Sequence, residues 1–191
     1  MKNLLAYLCG AVVIACLVVT FTSATAAAEE DKGERTIAIA DGKLKLQAPA
    51  SWKRKKPQSA IVEHEFAVPA SAGDSPDGRV TVMGAGGSVE ANVDRWIGQF
   101  TQPDGGSTKQ RAKTKKIKAA GEEVHMVDIS GTFKDQLGPF APAVERPKYR
   151  MLSAIITTKK SGNYFVKFYG PERTVAENEK AFVTMIEGMT R

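Results

Sequence analysis

The stretch 149–189 constrains the fold more than any other part of the chain. Residues 149–156 carry Tyr149, Met151, Leu152, Ala154, Ile155 and Ile156, an apolar run of strand length. Gly162 and Asn163 supply a turn, and residues 164–169 mix aromatic and β-branched side chains. Such residues favour a pleated, half-buried surface, so the pattern predicts a β-hairpin. Gly170-Pro171 breaks the sheet, and an amphipathic helix begins at Thr174 with Val175, Phe182, Ile186 and Met189 facing inward. Thr174 and Glu177 have the spacing of a capping box. Burial and capping account for the residues of this unit, so it predicts a scaffold and places any dedicated site beside it.

The preceding residues read as extensions of that sheet. Residues 36–40 and 43–46 flank Asp41-Gly42, a pair that accepts the positive φ of a type I′ hairpin turn. Trp52 is expected to pack under the sheet, and 53–57 to form an exposed loop. Residues 60–68 and 79–83 predict strands joined through the turn 75–78. Ser88 is a predicted N-cap for a helix whose apolar face is Val89, Val93, Trp96, Ile97 and Phe100. Strands follow at 113–119 and 123–133, then a proline-rich loop at 134–148 that includes Phe140. Loops of that length often carry function. The order is ββββα-ββββα, an α+β fold with an antiparallel β-sheet flanked by helices.

Before this domain lies an export pattern. Lys2 precedes an uncharged, mostly apolar run at 4–21, and small residues follow through Ala28. That order predicts a signal peptide at 1–28 and a product in the periplasm or extracellular space. The run also fits a membrane anchor at 4–21, and Cys16 fits lipoprotein attachment, although apolar residues follow it. Residues 29–42 form an N-terminal segment with the first strand, and 43–191 a single α+β domain. Both cysteines, Cys9 and Cys16, fall inside the leader, so the domain is expected to have no disulfide and no thiolate site.

The order of elements, with Pro49-Ala50-Ser51-Trp52 after an early hairpin and residues 165–171 leading to Val175 and Phe182, resembles the Mog1/PsbP-like α/β/α sandwich. Residues 92–100 and 149–152 resemble a group of small exported bacterial proteins of uncharacterised function. The resemblance implies a non-catalytic binding module with an unknown protein or envelope component as partner. No functional residue carries over from it.

The side chains favour binding over catalysis. His64 and His125 are the only histidines, each on a strand face shared with apolar residues. His64-Glu65 begins a zinc-protease motif, but Val68 stands where the second histidine is needed. Residues 86–90 lack the final glycine of a nucleophile elbow. Residues 84–88 lack the Lys-Ser/Thr of a phosphate loop. The expectation is therefore no cofactor, no metal, no nucleotide and no enzyme activity; a His-dependent hydrolase or metal enzyme is the less favoured reading. Phe140, Trp96 and Arg95 are the candidate partner surface.

Charge offers one alternative. The net formal charge is +6, yet ten basic residues lie in two acid-free runs, 53–56 and 109–118. Lys53, Arg54, Lys55, Lys56, Lys113, Lys115, Lys116 and Lys118 form a candidate patch for an anionic surface such as lipid or polysaccharide. No aromatic residue lies between 101 and 131, so nucleic acid is not expected. Lysines that blunt a sheet edge against aggregation give the same pattern.

Overall fold

A computed structural model describes residues 35–136 and 142–191. The leader, with its anchor and lipoprotein alternatives, and Phe140 lie outside the described residues.

The centre is an antiparallel sheet of eight strands. Its elements in chain order are β3 (Lys53–Lys55), β4 (His64–Val68), β5 (Gly78–Ala85), β6 (Phe100–Thr101), β7 (Lys113–Ala119), β8 (Glu122–Asp135), β9 (Val144–Thr158) and β10 (Gly162–Pro171). Spatially the order is β3-β4-β5-β10-β9-β8, with β6 and β7 both pairing β8 at different ends. A separate hairpin, β1 (Thr36–Ile39) with β2 (Leu44–Gln47), packs on one face beside the helix α3 (Glu172–Glu187). Helix α1 (Val89–Ile97) and the single turn α2 (Thr108–Arg111) lie on the other.

Two cores follow from strand alternation. Phe66, Val80, Val82, Leu152, Ala154, Ile156, Val166 and Phe168 face the hairpin and α3, where they meet Trp52, Val175 and Phe182. Val127, Ile129, Met151, Ile155 and Phe165 face α1 and enclose Trp96. Trp52 is buried as expected; its ring tilts against Phe168 at 5.5 Å and its Nε1 donates to Asn178 Oδ1 at 3.3 Å. On the α3 side, Arg150 bridges Asp128 on β8 and Glu179 on α3, each at 2.8 Å, which ties the helix to the sheet.

Several expectations change. Residues 53–55 are a strand, not an exposed loop, because they pair with residues 65–67 of β4. The hairpin turn uses three left-handed residues, Ala40, Asp41 and Gly42, rather than two. Both ends of the supposed loop 134–148 are paired: Lys134 faces Glu145, and Asp135 faces Val144. The sequence hides this pairing because most of its side chains are polar and Pro147 falls within the second strand. Register slips between Gly131 and Phe133, where Lys148 takes φ +56°, so the hairpin is bulged. Phe100 leaves the helix for β6, since α1 stops at Gly98.

β10 runs through Gly170 and Pro171 instead of breaking before them. Glycine is needed there: a Cβ on Gly170 would lie 2.8 Å from Gly78 Cα. Helix α3 accordingly starts at Glu172, two residues before the expected Thr174. Thr174 is buried in the first turn, and no capping box forms. The cap comes from the distant loop between β4 and β5. Asp74 Oδ2 accepts from the Thr174 backbone N–H at 2.9 Å and from its hydroxyl at 2.7 Å. Ser71 Oγ donates to Glu177 at 2.6 Å. Asp74→Ala should therefore cost about 1–2 kcal/mol, as loss of a helix cap does, with Asp74→Asn intermediate. Urea midpoints at constant slope would show it.

Candidate binding face

The α1 face is only partly covered. Ser88 Oγ accepts from the Ala91 N–H at 3.1 Å, so the helix starts as the sequence predicts, but it spans just nine residues over a much wider sheet. Trp96 is its deepest side chain, edge-on to Phe165 at 5.0 Å. Val89, Val93 and Ile97 remain half-buried. Between them and β7 lies a groove of about 600 Å³, floored by Val93, Ile97, Ala112 and Val127. Lys109, Lys115 and Lys116 line its lips, with Glu90 and Asp94 on the helix side. Lys109 pairs with Asp94 at 2.8 Å and Lys116 with Glu123 at 3.4 Å.

A polar cluster occupies the middle of the same sheet face. Glu65 is 5% exposed. Its two oxygens accept from Arg79 Nε at 3.0 Å and Nη2 at 2.9 Å, a fork-to-fork pair. Arg79 Nη1 also donates to Tyr169 OH at 2.6 Å. The Arg79 hydrogen bonds hold the Glu65 carboxyl below its ordinary range, while Glu65 raises Arg79 further. Burial pushes the Tyr169 phenol up against the opposing effect of Arg79. Half-buried Lys167 places its ammonium 5.3 Å from the Trp96 ring centre and 5.8 Å from that of Tyr169.

Desolvation, with Arg95 and Arg79 adding repulsion, pushes Lys167 down to about 8 from an ordinary 10.5. The unfolded chain then holds this proton to higher pH than the folded one. The charged amine thus penalises folding fully below about pH 8, and stability should rise between about pH 8 and 10.5. Denaturant titrations of wild type and Lys167→Met across that window would show the rise in the first and its loss in the second.

The structure separates the residues that the sequence grouped. Trp96 is 1% exposed, so it underlies a surface and does not present one. Arg95 is exposed, donating to Asn92 Oδ1 at 2.6 Å. The two basic runs lie at opposite edges of the sheet: Lys53, Arg54 and Lys55 on β3, followed by Lys56, and Lys113, Lys115, Lys116 and Lys118 on β7. They cannot form one patch. Arg54 is also engaged, 4.7 Å from the Phe66 ring centre, with Nη2 donating to Thr36 O at 2.7 Å.

The histidines lie on opposite faces. His64 alternates with Phe66 on the α3 side and His125 with Val127 on the α1 side, so one cleft cannot hold both. His64 sits between Arg54 Nη1 and Ala38 O, each at 3.0 Å, and His125 bonds Glu123 at 2.6 Å. Among the described residues no group of three or more His, Cys, Asp or Glu stands together as a metal set.

Sequence reasoning missed Lys167, Arg79 and Glu65. A signal was present: period 2 places Lys167 between Phe165 and Tyr169, a charge inside an aromatic face.

The fold and this face define an antiparallel α+β sandwich. No protein-family model matches the chain, and no curated protein does. Among solved structures it is similar to the cyanobacterial PsbP protein of Synechocystis, at 9% identity over 81% of this chain and 89% of that one, with a TM-score of 0.48. It is likewise similar to LpqN of Mycobacterium tuberculosis, a protein involved in cell envelope biogenesis, at 10% identity over 81% and 88%, TM-score 0.48. A Pseudomonas aeruginosa protein of unknown function shares 12% identity over 80% and 92%, TM-score 0.42. A PsbP protein, the type resembled in sequence order, is thus among its structural neighbours. These likenesses concern the path of the chain and bring no residue, ligand or partner with them.

Proposed function

We propose that this chain is an exported, non-enzymatic binding module that seats an amphiphilic ligand or partner segment in the groove between α1 and β7. The export half rests on the leader pattern of residues 1–28. The binding half rests on one observation: a nine-residue helix leaves a groove of about 600 Å³ with an apolar floor and lysine lips, a size typical of ligand sites. An apolar body would lie on Val93, Ile97 and Val127, and an anionic end at Lys109 and Lys116. Both lysines sit in exposed ion pairs, with Asp94 and Glu123, that a ligand's anionic end would share.

Calorimetric titration with dodecanoate, below its micelle concentration, tests the groove. Saturable binding that Val93→Tyr weakens at least tenfold supports it. Equal heats from wild type and Val93→Tyr count against it.

A second reading, a binder of anionic surfaces through the lysine edges, is favoured by Lys113, Lys115 and Lys118 lacking ion pairs among the described residues. It predicts retention on heparin that falls steeply with salt. Because the runs lie at opposite edges, charge reversal at β7 alone should abolish most of that retention if β7 is the contact. Retention unchanged by reversal at either edge would remove this reading.

A further inference from the structure

We propose that Lys167 anchors a site for a small oxyanion, a carboxylate or a phosphate, on the α1 face of the sheet. The site does not depend on whether the α1–β7 groove holds an amphiphile.

The strand register builds it. Glu65 on β4 lies opposite Thr81 on β5, Thr81 opposite Lys167 on β10, and Lys167 opposite Ser153 on β9. Directly paired residues share a face, so these four form a polar row across the centre of the sheet, in a layer otherwise built from Trp96, Phe165, Met151 and Ile155. A row of this kind in an apolar layer is unfavourable unless its members are satisfied. It is not satisfied. Lys167 Nζ donates once, to Gln99 Oε1 at 3.3 Å, and its other donors have no acceptor among the described residues. Ser153 Oγ is fully buried and has no hydrogen-bond partner among the described residues.

The charges around this amine select the ligand's sign. Arg95 faces it from α1 and Arg79 from β5. Glu65 on β4 is the nearby carboxylate of the row, and both its oxygens are already taken by Arg79. Tyr169, the remaining titratable neighbour, bonds Arg79 through its hydroxyl. β9 contributes only the neutral Ser153 to the row. Lys167 and Arg95, neither in an ion pair among the described residues, therefore repel each other while the nearby Glu65 is engaged by Arg79. An oxyanion there would accept from the free ammonium donors. A cation would be repelled, and an apolar group would leave the ammonium unsatisfied. A bound anion would offset the desolvation and repulsion that hold Lys167 near 8.

The test is an NMR titration of the Lys167 side chain at pH 6.5 and constant ionic strength, with inorganic phosphate and acetate in separate arms. Saturation by either supports the site, and which anion saturates identifies phosphate-bearing or carboxylate ligands. The Lys167 midpoint should move upward with anion bound. Read from the backbone amides of Thr81 and Ser153, which every variant retains, Lys167→Met should weaken binding at least tenfold, Lys167→Arg less than fivefold, and the β7 variant Lys113→Gln, Lys115→Gln, Lys116→Gln less than twofold. Val93→Tyr should leave the phosphate arm within twofold, which separates this site from the groove. No saturation in either arm, or equal weakening by the β7 variant and Lys167→Met, overturns it. The side-chain shift of the unmutated protein decides the matter even where a variant fails to fold.

Discussion

Replacing Glu65 with Ala should lower the unfolding free energy by about 3–5 kcal/mol, the usual result of stripping one partner from a buried ion pair. Glu65 is 5% exposed and takes two hydrogen bonds from Arg79, a geometry that satisfies both groups. Without it Arg79 keeps only Tyr169 OH and stays charged in a half-buried position, because guanidinium does not release its proton. The same pair sets a pH dependence. Arg79 holds the Glu65 carboxyl below its ordinary 4.5, so the stabilisation is fully present above that value and is lost as pH falls through the lower folded-state value. Glu65→Gln, which cannot titrate, should flatten this part of the acid limb. Chemical denaturation from pH 7 to pH 3 would record both effects.

Trp96→Ala should be comparably severe, about 3–5 kcal/mol, because a large aromatic side chain is removed from a packed layer. Trp96 is the main side chain by which α1 meets the sheet, edge-on to Phe165 and beside the Lys167 ammonium. Ser88 capping and a nine-residue length cannot hold such a helix in water, so tertiary packing must do so. Loss of Trp96 should release α1 before the rest of the fold. Hydrogen exchange should show early opening at residues 89–97 with β9 and β10 still protected. Uniform loss across all strands would mean that α1 is not a separate unit.

Much of the scaffold was legible because burial writes a periodic pattern. The 164–169 strand, the Ser88 cap and the buried Trp52 all follow from local rules. The paired ends of β8 and β9 were not legible, since backbone hydrogen bonds hold Lys134 opposite Glu145 whatever their side chains. The α3 cap was missed for a different reason: Asp74 is 100 residues away from Thr174 in sequence, and only the fold joins them. The candidate site was the least legible part. Lys53 and Lys115 look alike in sequence, yet β3 and β7 place them at opposite edges. Lys167 looked like an ordinary polar residue of a strand, and it acquires chemistry only when register sets it between Thr81 and Ser153.

We place ligand binding on the α1 face. An amide chemical-shift map of the full domain, titrated first with dodecanoate and then with phosphate, tests it most directly. Dodecanoate should shift residues of α1, β7 and the facing part of β8, and phosphate those around Lys167, Thr81 and Ser153. Shifts confined to α3, the β1–β2 hairpin or the β3 edge, or no saturable shifts with either probe, would contradict it.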